Sequence, residues 1–393
     1  MVFDGTPHSR HAAVEWSQTL ETKPAREQPH PERVVSVGDP VTKHLRVVVT
    51  TFGCTLAAYL FARLLTHTGA SATWHALASA GPLVGLAIAP FALGMTIDAY
   101  GSVLLLRALG SQTTLAQMLP VRIASEALHS SVPAGFVASD TATAVLLETC
   151  FDVPIRDGVV ASIARKWLVM RAHAAYIAVG AVGGFAALAA SSRQLLGCGC
   201  GGGALPWIVL ASAAVPLGAS WAVGAGLLGR STFTRLHAIV ARLPSRRLRR
   251  WAEARRHEAA STDAQVLRLR AARSATAAAT LAFFGCWCVE ALESALLLRL
   301  VGADVALAAV VAVEAGLSLV RSLAVIAPSG LGVVDFGYAT VLPMLGADAG
   351  SAAAFVVLKR AKELAWVAAG YALLGAMRGR ATLMRPTRSA ASA

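Results

Sequence analysis

Pro328-Ser-Gly-Leu-Gly-Val-Val-Asp335 interrupts the otherwise apolar segment 303–346. Proline removes a backbone donor and glycine admits left-handed backbone, so one helix ends here and another begins. The surrounding sequence is too apolar for an aqueous loop. Such a break is tolerated at membrane depth only where protein or a wet cavity surrounds it. Segment 303–346 therefore reads as a re-entrant helical hairpin. Segment 112–150, broken at Pro133-Ala-Gly135 and carrying Asp140, reads as a second. The alternative is a set of ordinary extra spans, since 303–326 is long enough to cross alone.

Around the hairpins lie six stretches long enough to cross a hydrocarbon core of ~30 Å, which takes ~20 helical residues. They fall near 46–66, 80–107, 158–190, 205–229, 273–300 and 349–376. The two breaks also match each other at a single offset. Pro133-Ala-Gly135 with Asp140 recurs 195 residues later as Pro328-Ser-Gly330 with Asp335, and Asp98 corresponds to Glu293. Each half reads as long helix, broken hairpin, long helix, over about 80–190 and 273–376. Three crossings separate the two leading helices, so the halves run in opposite directions. That is an inverted-topology repeat, from which many alternating-access transporters are built.

Composition agrees with a membrane solvent. The chain of 393 residues is 56% hydrophobic and 15% charged, with a mean hydropathy of +0.60. Charge is too scarce to cover soluble domains of this size, which disfavours a soluble enzyme. The expected fold class is an all-α polytopic membrane protein with about six full transmembrane helices plus two re-entrant helical hairpins. Residues 1–45, with five prolines and no apolar run, read as a disordered tail, and 379–393 as a second tail.

The net charge of +13 is unevenly placed. From Arg230 to Arg273 there are twelve arginines and three acidic residues, whereas 66–81 contains no Lys or Arg and 191–204 only Arg193. The positive-inside rule puts the 1–45 tail, the basic 230–272 loop and the C-terminus in the cytoplasm. The run Leu243-Pro-Ser-Arg-Arg-Leu-Arg-Arg-Trp251 suits anionic lipid headgroups better than nucleic acid in a polytopic chain.

Ionisable groups at membrane depth carry most of the functional information, because each costs about 2.5–3.5 kcal/mol at a helix centre. The spans and hairpins hold Asp98, Arg122, Glu126, Asp140, Arg165, Lys166, Arg171, Glu290, Glu293, Glu314, Arg321, Asp335, Lys359, Arg360, Lys362 and Glu363. Lys359 and Arg360 lie too far into the last span to snorkel, so they need an acidic partner, an anionic ligand or water. The plainer account is that acids and bases neutralise each other in place, with Lys359–Glu363 and Arg122–Glu126 as i,i+4 pairs. Their focus around two helix breaks points instead to a polar cavity. Pro328, Gly330 and Gly332 would let backbone approach an anion there.

Other motifs carry less. Cys198-Gly-Cys200 and Cys286-Trp-Cys288 are too few for a tetrahedral metal site. Gly180-x-x-x-Gly184 marks a candidate close helix contact. There is no nucleotide loop, H-E-x-x-H or G-x-S-x-G, so no enzyme, no cofactor and no metal is expected.

The segments Glu126-Ala-Leu-His-Ser-Ser-Val-Pro133 to Asp140, Val313-Glu314 to Arg321-Ser322, Ala327-Pro-Ser-Gly-Leu-Gly-Val-Val-Asp335-Phe-Gly-Tyr338 and Leu358-Lys-Arg-Ala-Lys-Glu-Leu364 resemble one family. It is the set of hopanoid-biosynthesis-associated membrane proteins within the lysylphosphatidylglycerol synthase transmembrane (flippase-like) superfamily. The resemblance covers about 45–378 and is most specific from 313 to 364. It implies a bacterial inner-membrane protein with two re-entrant hairpins and a role in moving or handling lipid. Glu126, Pro133, Asp140, Glu314, Arg321, Pro328, Gly330, Gly332, Asp335, Lys359, Arg360 and Glu363 fall on its pattern. Ala138-Ser139 replaces its usual paired glycines, and Arg165 to Ala252 contains no acidic residue. No synthase domain accompanies the segment, so lipid modification is not expected.

The leading expectation is a lipid flippase or lipid transporter for an anionic phospholipid or hopanoid-type lipid, with no nucleic-acid partner and homo-oligomerisation left open. Lys359, Arg360 and Arg321 would contact the headgroup. Asp140, Glu314 and Asp335 would tune the cavity or exchange protons, and Glu126 and Glu363 complete the substrate-binding set. The alternatives are a small-solute or ion transporter and a non-transporting scaffold for lipid-synthesis enzymes.

Overall fold

The computed structural model describes residues 70–132, 135–196, 203–226, 229, 231–242, 249, 256–323 and 330–390. The expected tail at 1–45, the span at 46–66, Pro133, Cys198, Cys200, Trp251 and Pro328 lie outside the described residues. Within them the structure is helical. The elements are α1 (Ala70–Ala80), a 3-10 helix (Gly81–Ile88), α2 (Ala89–Ala108), α3 (Leu115–Ser131), α4 (Gly135–Phe151), α5 (Ile155–Gly183), α6 (Phe185–Leu196) and α7 (Ala204–Ser212). They continue as α8 (Ala214–Gly226), α9 (Thr232–Arg242), α10 (Arg256–Ala271), α11 (Arg273–Leu300), α12 (Leu307–Leu323), α13 (Val333–Met344) and α14 (Ala349–Ala390).

Among the described residues three helical stretches are long and apolar enough to cross a membrane: Ala89–Ala108, Ala204–Gly226 and Arg273–Leu300. A fourth is α5 with α6, but it is not the straight span expected at 158–190. The pair bends by 74° between Gly183 and Phe185. Gly184 at the bend sits against Ala312 of α12, so close that a β-carbon there would collide with it. The last expected span also differs. Helix α14 continues unbroken through Ala390, and Lys359, Arg360, Lys362 and Glu363 keep its first half from being an apolar crossing segment.

The two broken segments are helix pairs, α3 with α4 and α12 with α13. Three of these helices have 17 residues and α13 has 12. At 1.5 Å per residue each falls short of ~30 Å. Helix α3 starts where Thr114 and Gln117 form a capping box, with Thr114 N donating to Gln117 Oε1 at 2.9 Å. Helix α13 starts where Gly330 and Gly332 adopt φ of 65° and 83° and the Asp335 carboxylate accepts from Gly332 N at 2.9 Å. Left-handed backbone at both positions is why glycine stands there.

Packing runs across the two halves as well as within them. Helix α2 lies along α11, α3 along α14, and α5 along α12. In a bilayer apolar burial drives helix association little, so close backbone approach and interhelical polar contacts do the work. The Gly180 motif supplies one such approach: a β-carbon at Gly180 would lie 2.6 Å from the Ala315 β-carbon.

The basic 230–272 stretch, expected as a loop, contains two docked helices. Asp263 of α10 caps α9 by accepting from Phe233 N at 3.0 Å and Thr234 N at 2.9 Å. Gln265 donates to Asp157 of α5 at 3.0 Å, and Val266 and Leu269 are buried in the core.

Candidate functional site

The intramembrane charges gather around one cavity of about 510 Å³, walled by both halves of the chain. Among the described residues six cationic side chains line it, Arg122, Arg165, Lys166, Arg321, Lys359 and Lys362. Six carboxylates face them, Asp98, Glu126, Asp140, Glu290, Glu293 and Glu363, so the lining is balanced in charge when histidines are neutral.

Pairing explains how these groups sit at depth. Asp98 on α2 accepts from Arg165 Nε of α5 at 2.8 Å and lies 3.4 Å from Arg122 of α3. Arg122 also reaches Glu126 one turn on, at 3.4 Å, as the i,i+4 spacing leads one to expect. Lys166 pairs with Asp140 of α4 and sits over the Phe136 ring.

In the second half, Lys362 pairs with Glu293 and Arg321 with Glu290. Arg360 Nε donates to Asp335 at 2.8 Å, and Arg360 pairs with Glu363 as well. The expected Lys359–Glu363 pair does not form. Lys359 turns toward α12 instead, where its Nζ donates to Glu314 at 2.7 Å and Ser294 Oγ at 2.8 Å and lies 2.9 Å from Tyr338 Oη. Tyr338 Oη in turn donates to Glu314 Oε1 at 2.7 Å, so no donor in this cluster lacks an acceptor.

A common plan links the halves. In each, the fourth helix, α5 or α14, supplies cations to a carboxylate on the first helix and to another on the third. Arg165 serves Asp98 and Lys166 serves Asp140, while Lys362 serves Glu293 and Arg360 serves Asp335. The pairs differ in access. Asp140 and Lys166 are each 26% exposed and line the cavity, whereas Asp335 and Arg360 are 4% and 12% exposed and stand behind its wall.

Of the residues marked from sequence, Lys359, Arg321, Glu126, Asp140, Glu363 and Gly330 line the cavity. Arg360, Glu314, Asp335 and Gly332 do not; they brace the residues that do. Sequence reasoning named Asp98, Arg122, Arg165, Lys166, Glu290, Glu293 and Lys362 as buried charges without placing them in the site. It missed Ser294, His173, Phe91 and Trp366. His173 of α5 shares a 2.7 Å hydrogen bond with Ser318 of α12 and stacks on Trp287 with ring centroids 4.2 Å apart. No spacing rule marks these positions, because their partners lie on distant helices.

Apolar crossing helices around a charged interior define a multi-pass membrane protein with a polar cavity between two helical halves. The family model described as lysylphosphatidylglycerol synthase TM region matches residues 48–370, and the chain belongs to that family. It thereby joins membrane proteins of lipid-related processes. No curated protein and no solved structure matched the chain.

Proposed function

We propose that the chain is a lipid flippase or lipid transporter without enzymatic activity of its own. The observation that carries this reading is the charge-balanced cavity of about 510 Å³ between the two halves, in a chain of this family. A lipid headgroup moves through the bilayer only if polar groups replace its water, and fixed ion pairs that exchange partners supply such groups. Arg321, Lys166 and Arg165 are the more exposed of the cavity's cations and suited to a phosphate, and Asp140, Glu126 and Glu290 are the matching acids. Lys359 contributes from the wall.

The reading treats the halves as an inverted repeat with α3–α4 and α12–α13 as re-entrant hairpins, supported by the shared ion-pair plan and the crosswise packing. It places the protein in a bacterial inner membrane with cytoplasmic termini, on the strength of the arginines between Arg230 and Arg273. The cargo is an anionic or aminoacylated phospholipid or a hopanoid-type lipid.

Reconstitution into liposomes with fluorescent lipids of several headgroups and a hopanoid tests it. Leaflet exchange above empty vesicles is expected; none for any lipid overturns the reading. Uptake of solutes without lipid movement would favour a small-solute transporter. Rescue of a deletion phenotype by a chain with its cavity charges neutralised would favour a scaffold.

A further inference from the structure

The cavity wall is graded in polarity. Along α14 it runs from Lys359, Lys362 and Glu363 to Trp366 and Val367. Along α2 it runs from Asp98 through Met95 and Gly94 to Phe91 and Pro90. The apolar ends meet, with the Phe91 and Trp366 ring centroids 5.0 Å apart and tilted by 40°. Lys362 Nζ stands 5.0 Å from the Phe91 ring centroid, so charge gives way to aromatic surface within one side chain's length.

One polar atom at this boundary lacks a partner. The indole Nε1 of Trp366 is sealed from solvent and has no hydrogen-bond acceptor among the described residues. A buried N–H is almost always paired, and leaving one unpaired carries the full cost of its desolvation. Packing alone would be served as well by phenylalanine or leucine here, without that cost. Trp366 lies one helical turn from Lys362, a rise of about 6 Å. In a glycerolipid the acyl ester carbonyls lie one short step from the charged headgroup, toward the tails.

We infer that Trp366 is a specificity residue for the ester carbonyl of an acyl glycerolipid. The headgroup occupies the charged zone of the cavity, the Phe91 and Trp366 rings part at its apolar edge, and the indole N–H donates to an ester oxygen as the tails pass beyond Phe91. This subsite rests on the lipid reading above and adds a linkage preference to it.

The test measures equilibrium binding of diester- and diether-linked phosphatidylglycerol and phosphatidylethanolamine of equal chain length to the purified full chain. Wild type is expected to favour the diester by about three- to tenfold, the worth of one net hydrogen bond. W366F should bind both linkages at the diether level, with a melting temperature no lower than that of wild type. Equal binding of both linkages by wild type, or an ester preference that survives in W366F, overturns the assignment and leaves the lipid reading intact. Binding of none of these lipids by wild type overturns the lipid reading itself. Should W366F fail to fold, the diester-to-diether ratio of wild type alone decides.

Discussion

Lys359 Nζ on α14 lies 2.7 Å from Glu314 Oε1 on α12, and both side chains are nearly excluded from solvent. Ser294 and Tyr338 complete the cage around the ammonium. The lysine that the sequence marks most strongly as an anion ligand is thus held by its own chain. Its first role is to tie the last helix to the broken one.

Breaking that pair on one side should cost far more than removing both charges. Lys359→Met leaves buried Glu314 with only the more distant Arg321, 3.7 Å away, as cation and should destabilise the purified protein by about 3 kcal/mol, as should Glu314→Leu, which strands Lys359. The double variant should recover at least half of either loss. Thermal melts of the four proteins in detergent give the coupling, and additive losses would count against the pair.

Lys166→Gln should behave differently, because the Lys166–Asp140 pair is half-accessible and lines the cavity. Stability should change by less than about 1 kcal/mol. Leaflet exchange in vesicles should fall about tenfold, the worth of one charge-assisted hydrogen bond to the moving headgroup. A large loss of stability with unchanged exchange would assign the pair to scaffolding.

Gly180 and Gly183 offer an internal control on helix contact. A β-carbon at Gly180 meets Ala315 and the Val311 carbonyl, whereas one at Gly183 meets nothing within 4 Å. Gly180→Val should therefore lower stability by about 1–3 kcal/mol through forced separation of α5 and α12, with Gly183→Val costing less than half as much. Parallel melts of the two variants check the contrast.

Asp263→Ala removes the side chain that caps α9. The helix should lose about 1 kcal/mol of local stability. Trypsin should then cleave after Arg235 and Arg242 several times faster than in wild type, while the membrane core stays intact. Mass spectrometry of timed digests reads both.

Much of the helical layout was legible because it depends on local order. Apolar runs marked 273–300, and its helix begins and ends there. Segments 112–150 and 303–346 each contain a pair of helices, as proline and glycine spacing indicated. The bend after Gly183 was not legible, and neither was the close approach of Gly184 to Ala312, a residue 128 positions away in the chain. Nor was the docking of α10, whose basic sequence hides two buried apolar residues, Val266 and Leu269.

The candidate site divides along the same line. Desolvation cost is a property of residue type and depth, so sixteen charges in apolar sequence announced an internal polar network before any fold was known. Which acid meets which base is a property of helix packing across long separations. Lys359 passes over Glu363, four residues away, for Glu314, forty-five residues away, because the packed helices bring the Glu314 carboxylate within 2.7 Å of its ammonium. Composition and periodicity decide that the chain lives in a membrane and must neutralise its buried charge. Only the packed helices decide that Arg360 and Asp335 stand behind the wall while Lys166 and Asp140 face the cavity, because exposure is set by neighbours that the linear order does not reveal.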